Sequence, residues 1–157
     1  MASLVAEQHV RSSKLFQVWD HDPGATSAMI TSPDGGTTLR LVDGRDIERF
    51  AVLVAATIFG GNGPTKVEIV ACTSAAGANP TAIKDSGTIA ADALLDWAIL
   101  ECSMDEVSHA GSAAGLALRY VGARITCHHA GDEAVVIYYG ESNRPHLDLT
   151  PATTIAA

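Results

Sequence analysis

Apolar and polar positions recur with strand-like spacing through the middle of the chain, and the pattern becomes regular from Thr38 onward. Residues 65–73 alternate, with Val67, Ile69 and Ala71 on one face and Lys66, Glu68 and Val70 on the other, as a strand with two different faces requires. Residues 50–59 form an unbroken apolar run, Phe-Ala-Val-Leu-Val-Ala-Ala-Thr-Ile-Phe. Such a run suits a buried helix or a strand covered on both faces; its β-branched content and the stop at Gly60-Gly61-Asn62-Gly63-Pro64 select the strand. The two segments are expected to pair as a hairpin. Residues 116–127 and 133–139 are the clearest strands, and the short link with Gly131-Asp132 predicts a second antiparallel hairpin. Residues 94–102 predict a strand that runs into Ser103-Met104-Asp105-Glu106. In that capping box the Ser103 hydroxyl accepts from the Glu106 N–H while the Glu106 carboxylate reaches back. It opens a helix over 104–110, ending near Gly111, too short to stand alone and therefore packed on the sheet.

Shorter strands are expected at 16–19, 28–31, 37–42, 82–84 and 88–90. The intervening Asp20-His21-Asp22-Pro23-Gly24, Ser32-Pro33-Asp34-Gly35-Gly36 and Asp43-Gly44 read as breaks, since proline and glycine punctuate turns. The expected fold is mainly β: an antiparallel β-sandwich or barrel-like domain over 16–140 with one short helix. An amino-terminal arm (1–15) and an extended carboxy-terminal tail (141–157) flank it, and no internal repeat or linker divides it.

The 157 residues suit one hydrophobic core. Hydrophobic residues make up 47% but aromatics only 5%, so Val, Ile, Leu and Ala must build the core, which favours a thin sandwich. A net charge of −8, with no lysine or arginine run, argues against nucleic acid or an anionic membrane as partner. Cys72, Cys102 and Cys127 are odd in number and widely spaced, as expected of buried small hydrophobes in a reducing cytoplasm. The first residues lack a secretion-signal pattern, and no stretch approaches the roughly 20 apolar residues of a membrane span.

Candidate chemistry is sparse. Asp20-His21-Asp22 offers metal-ligand types, but adjacent ligands in a turn lack the three or four convergent groups a metal wants. Cys127-His128-His129 holds good zinc ligands, yet consecutive strand residues point to alternate faces; a buried Cys127 followed by exposed loop histidines is the expectation. Cys72 and Cys102 lie in apolar strands, where desolvation opposes a thiolate. Gly60-Gly61-Asn62-Gly63-Pro64 leads into a strand, not the Lys-Ser/Thr helix start of a phosphate-binding loop. No cofactor or catalytic set is expected. Trp97, between Leu95 and Ile99 on one strand face, is expected in the core. Trp19 is as well suited to an interface as to the core. The remaining contact candidates lie on the arm, turns and tail: His9 and Arg11, Asp20 and His21, Asn62 and Pro64, and Arg144.

The order of features over residues 38–140 carries a resemblance. It comprises the run at 50–59, Lys66-Val67-Glu68-Ile69-Val70-Ala71, the loop Ala76-Gly77-Ala78-Asn79-Pro80-Thr81-Ala82-Ile83, residues 92–105, Leu118-Arg119-Tyr120-Val121-Gly122-Ala123-Arg124-Ile125, and Gly131-Asp132-Glu133-Ala134-Val135-Val136. The chain thereby resembles small virion proteins encoded beside the capsid genes of tailed bacteriophages, of the head decoration or cement type; similar small β proteins also serve in tails and necks. The resemblance implies a structural, non-enzymatic protein that binds the major capsid protein, self-associates as a homo-oligomer and resides in the virion after synthesis in a bacterial cytoplasm. A tail or neck component and a small metal-dependent enzyme using Cys127, His128 and His129 are the alternatives.

Overall fold

The structure, a computed structural model, describes residues 13–21, 28–29, 39–58, 64–89, 97–127 and 133–141. Two antiparallel sheets share one core. The strands are β1 (Ser13–His21), β2 (Ala28–Met29), β3 (Val42–Asp43), β4 (Arg49–Ile58), β5 (Pro64–Cys72), β6 (Thr81–Asp85), β7 (Trp97–Ser103), β8 (Tyr120–Cys127) and β9 (Glu133–Glu141), and helix α1 (Met104–Ala114) follows β7. One sheet has four strands in the order β1-β9-β4-β7. In the other, β8 pairs with β5 on one edge and with both β2 and β3 on the opposite edge, and β6 closes the far side of β5.

Alternation along each strand builds the core. Phe50, Val52 and Val54 of β4, Ala98 and Cys102 of β7, and Ala134, Val136 and Tyr138 of β9 face inward from the first sheet. Val67, Ile69 and Ala71 of β5 meet them together with Val121, Ala123, Ile125 and Cys127 of β8. This is the sandwich arrangement, with two inner faces interdigitating and few large rings. The mainly β, antiparallel architecture with one helix is thus the one the sequence pattern predicts.

Both expected hairpins are absent. β4 pairs with β7 and β9, whereas β5 pairs with β6 and β8, so the segments at 50–59 and 65–73 lie in different sheets. The same holds for β8 and β9. Facing sheets stand about 10 Å apart, and the links 59–63 and 128–132, five residues each, lie outside the described residues. A five-residue link reaches roughly 17 Å when extended, enough to cross the core as readily as to fold back. Crossing sets the apolar inner faces of β4 and β5 against each other instead of side by side, and this buries both.

Strand and helix limits also shift. β1 is longer than the expected 16–19, and Asp20 and His21 belong to it, opposite Val135 and Ala134, rather than to a turn. Helix α1 runs eleven residues, passing Gly111. Gly111 is buried because it packs closely; a Cβ there would lie 2.6 Å from the Leu116 carbonyl oxygen. The helix ends instead at Gly115 in the left-handed conformation (φ 67°), the usual αL cap. Residues 116–119 are consequently not strand: Leu116 N–H caps the Gly111 carbonyl and Arg119 N–H donates to Cys72. Thr88 and Ile89 are likewise outside any strand, although Ile89 N–H donates to Thr65. Of the expected strand at 37–42, residues 37–38 lie outside the described residues, Leu39 forms an isolated bridge, and strand resumes as β3, followed by a 3-10 turn at Gly44–Asp46. No helix among the described residues is long and apolar enough to cross a membrane.

Candidate functional site

The sequence-derived contact candidates do not form one described patch. Trp19, Asp20 and His21 lie on β1, in register with Val136, Val135 and Ala134. Pro64 opens β5 in the other sheet, opposite Cys127. His9, Arg11, Asn62 and Arg144 lie outside the described residues, as do Asp22, His128 and His129.

The three cysteines are buried. Burial pushes the Cys102 thiol up to about 12 and also raises that of Cys72. Neither presents a thiolate near neutrality, so the core reading of these two thiols stands and nucleophilic chemistry finds no support in them. Among the described residues no group of three or more His, Cys, Asp or Glu side chains could hold a metal ion. An open groove of about 450 Å³ lies between β6 and α1, lined by Ile83, Asp105, Glu106, His109 and Ala110. Its Glu106 carboxylate already accepts from the Ser103 N–H (2.9 Å) and pairs with Lys84, which together hold it below the usual carboxyl range. That carboxylate serves the helix cap.

The other charged groups bind strands together. Glu68, only 5% exposed, accepts from Arg124 Nε at 2.6 Å and from Lys66 Nζ at 3.0 Å. The Arg124 guanidinium, more than Lys66, keeps its carboxyl below the ordinary range against the opposing effect of burial. Asp43 accepts from Arg119 (Nε, 2.9 Å) and from Arg45, which depresses its carboxyl strongly. Arg119 also stacks over the Tyr120 ring, 4.9 Å from its centre. These pairs join β5 to β8 and β3 to the approach to β8.

The least expected surface is the outer face of the four-stranded sheet. Residues that alternate with the core set on β4, β7 and β9 point away from the core, and most are apolar. In register they form rows: Ala51 beside Tyr139, Leu53 between Ile99 and Ile137, Ala55 beside Val135. Ile99 is 55% and Tyr139 43% exposed; Ala51, Leu53, Ala55, Val135 and Ile137 are half-buried. At one end the face turns polar, where Arg49 lies in register with Glu141 and pairs with Glu101 at 2.9 Å.

Ile99 bears on the strand face that the sequence pattern assigns to Trp97. The face of β7 that carries it is outward, because Ala98 and Cys102 take the inward positions; the Trp97 side chain lies outside the described residues. The outer face was half visible in the sequence. A run apolar at both alternations, as at 50–59, signals two apolar faces, but the described residues cover only the inner one. A monomeric domain usually keeps such a contiguous outer surface small, and larger ones mark sites of association. Comparison of the chain with protein-family models, curated proteins and solved structures finds no match.

Proposed function

We propose that this chain is a non-enzymatic structural domain that works by binding other protein surfaces. The observation that carries the reading is the apolar outer face of the four-stranded sheet, with Leu53, Ile99, Ile137 and Tyr139 reachable by solvent on a rigid scaffold. Two of the thiols are held protonated by burial, and the acids with lowered values are each engaged by a cation.

The resemblance over residues 38–140 supplies the finer proposal, a decoration or cement protein on the head of a tailed bacteriophage that bridges subunits of the major capsid protein. A bridging protein needs a stiff body and several weak contacts, which symmetric repetition on a shell adds into a strong one. The arm at 5–18, the segments at 20–23 and 60–64, and the tail are the proposed capsid contacts. The test is to purify particles made with and without this protein. Under this reading it co-purifies with intact heads, and its omission lowers the temperature at which they rupture. Particles that lack it after gentle purification, with unchanged heat resistance when it is omitted, would reject the capsid role.

A further inference from the structure

We infer that the outer face of the four-stranded sheet is a two-fold interface between two copies of this chain; the inference deepens the protein-binding reading and rests on it. The case begins with shape. Four strands about 4.8 Å apart, of nine, nine, ten and seven residues at about 3.4 Å per residue, give a footprint of roughly 600 Å². With side-chain relief this approaches the ~800 Å² per partner of a stable interface. A sheet is best matched by another of the same twist, stacked at about 30° and 10 Å away, and a second copy offers that by construction.

The charges select the same partner. The chain carries a net charge of −8, so two copies repel over most of their surfaces. The outer face is different, because its central row of Ile99, Leu53 and Ile137 holds no charge and its polar end holds both signs, Arg49 with Glu101 and Glu141. Place a two-fold axis in the interface plane, parallel to the strands and passing between β4 and β9. It lays β4 on the partner's β9, so the row of Ile99, Leu53 and Ile137 stacks on itself. Because Arg49 and Glu141 occupy one row, the same operation sets Arg49 over the partner's Glu141, twice. The interface is isologous, as a two-fold homodimer requires, and Arg49 and Glu141 are complementary across it in this orientation. A strongly acidic or basic partner would find no matching handle on this face.

The consequence for the proposed role is a two-headed clamp, with the paired four-stranded sheets at its centre and the second sheet of each copy on the outside.

The experiment uses the full chain and reads mass against concentration by analytical ultracentrifugation, with circular dichroism to check folding. The native chain is expected to sediment as a dimer at micromolar concentration. Leu53→Lys and, independently, the more exposed Ile99→Lys are expected to give folded monomers. Arg49→Glu and Glu141→Arg each bring like charges into register across the axis, and each alone should weaken self-association at least about tenfold. Mixed in equal amounts, the two variants should recover a heterodimer, because each then supplies the charge that the other lacks. That recovery in trans cannot come from a contact within one chain. A native chain that stays monomeric at hundreds of micromolar would overturn the proposal. So would a dimer indifferent to both lysine variants, which would use another face or bind a terminal segment here, or a mixture that fails to recover. Particle binding is scored separately: a monomer that still decorates heads sinks the dimer alone, and a dimer that ignores them sinks the capsid role alone.

Discussion

Tyr138 shows how one side chain can complete a strand that backbone pairing leaves open. β3 pairs with Tyr120 and Val121 and β2 with Arg124 and Ile125, so Gly122 and Ala123 fall in the gap between two short edge strands. The Ala123 N–H there donates to the hydroxyl of Tyr138, which is fully buried and reaches across from β9 in the other sheet. Its ring meets Phe50 edge-on, with centres 5.0 Å apart, and burial holds its hydroxyl protonated well above the ordinary phenol range. Gly122 leaves room for the crossing chain, since a Cβ there would lie 2.9 Å from the Arg40 carbonyl oxygen and 2.6 Å from Leu41 Cδ2. Tyr138→Phe keeps the ring but strands a buried donor, so a loss of about 1–3 kcal/mol is expected, measured by urea denaturation. A change within error would mean that Ala123 finds another acceptor. None of this was legible beforehand, because residues 123 and 138 meet only once their strands are assigned to opposite sheets.

At the scale of elements, local signals were readable and pairing was not. Alternation located β5, β8 and β9, and the Ser103-Met104-Asp105-Glu106 signature fixed the start of α1 to the residue. Both reciprocal bonds are present: Glu106 N–H donates to Ser103 Oγ at 3.2 Å, and Ser103 N–H donates to the Glu106 carboxylate at 2.9 Å. The helix end is not legible from residue type, because two glycines offer a stop and only the structure separates them: Gly111 answers to packing and Gly115 to backbone conformation. Strand partners are not legible, because a short glycine-bearing link is compatible with a hairpin and with a crossing alike. The helix has its own test. Ser103→Ala removes one half of the cap and should cost about 1 kcal/mol, whereas Ser103→Asp, which restores an acceptor, should recover most of it in thermal melts. Equal losses in both variants would assign Ser103 a role other than capping.

For the whole molecule, stability against acid rests on the carboxylates that tie strands together. The carboxyl groups of Glu68 and Asp43 are lowered in the folded state by Arg124 and Arg119. The stability they contribute is therefore complete above the unfolded carboxyl range, roughly pH 4, and is lost as pH falls through the depressed native values. Glu68→Gln should lower stability at pH 7 by about 1.5–3 kcal/mol, the scale of a hydrogen bond to a charged group. It should also lose less than the native chain between pH 5 and 3, as followed by denaturation midpoints. An unchanged pH slope would remove Glu68 from the account. The core and its sheets were legible as a class, from β-branched alternation and few aromatics; the outer face of the four-stranded sheet was legible only as an apolar run whose cover had been assumed. The order β1-β9-β4-β7 has a last consequence, for biogenesis. The strand made latest of the four sits between β1 and β4, some 128 and 92 positions from its partners at Ser13 and Arg49. On the ribosome those two early strands must wait with unsatisfied edges until residues 133–141 emerge. Such long-range closure is slow, in the millisecond-to-second range typical of sandwiches. Until the final strand slots into the gap, the nascent chain carries two open sheet edges, which are templates for mispairing.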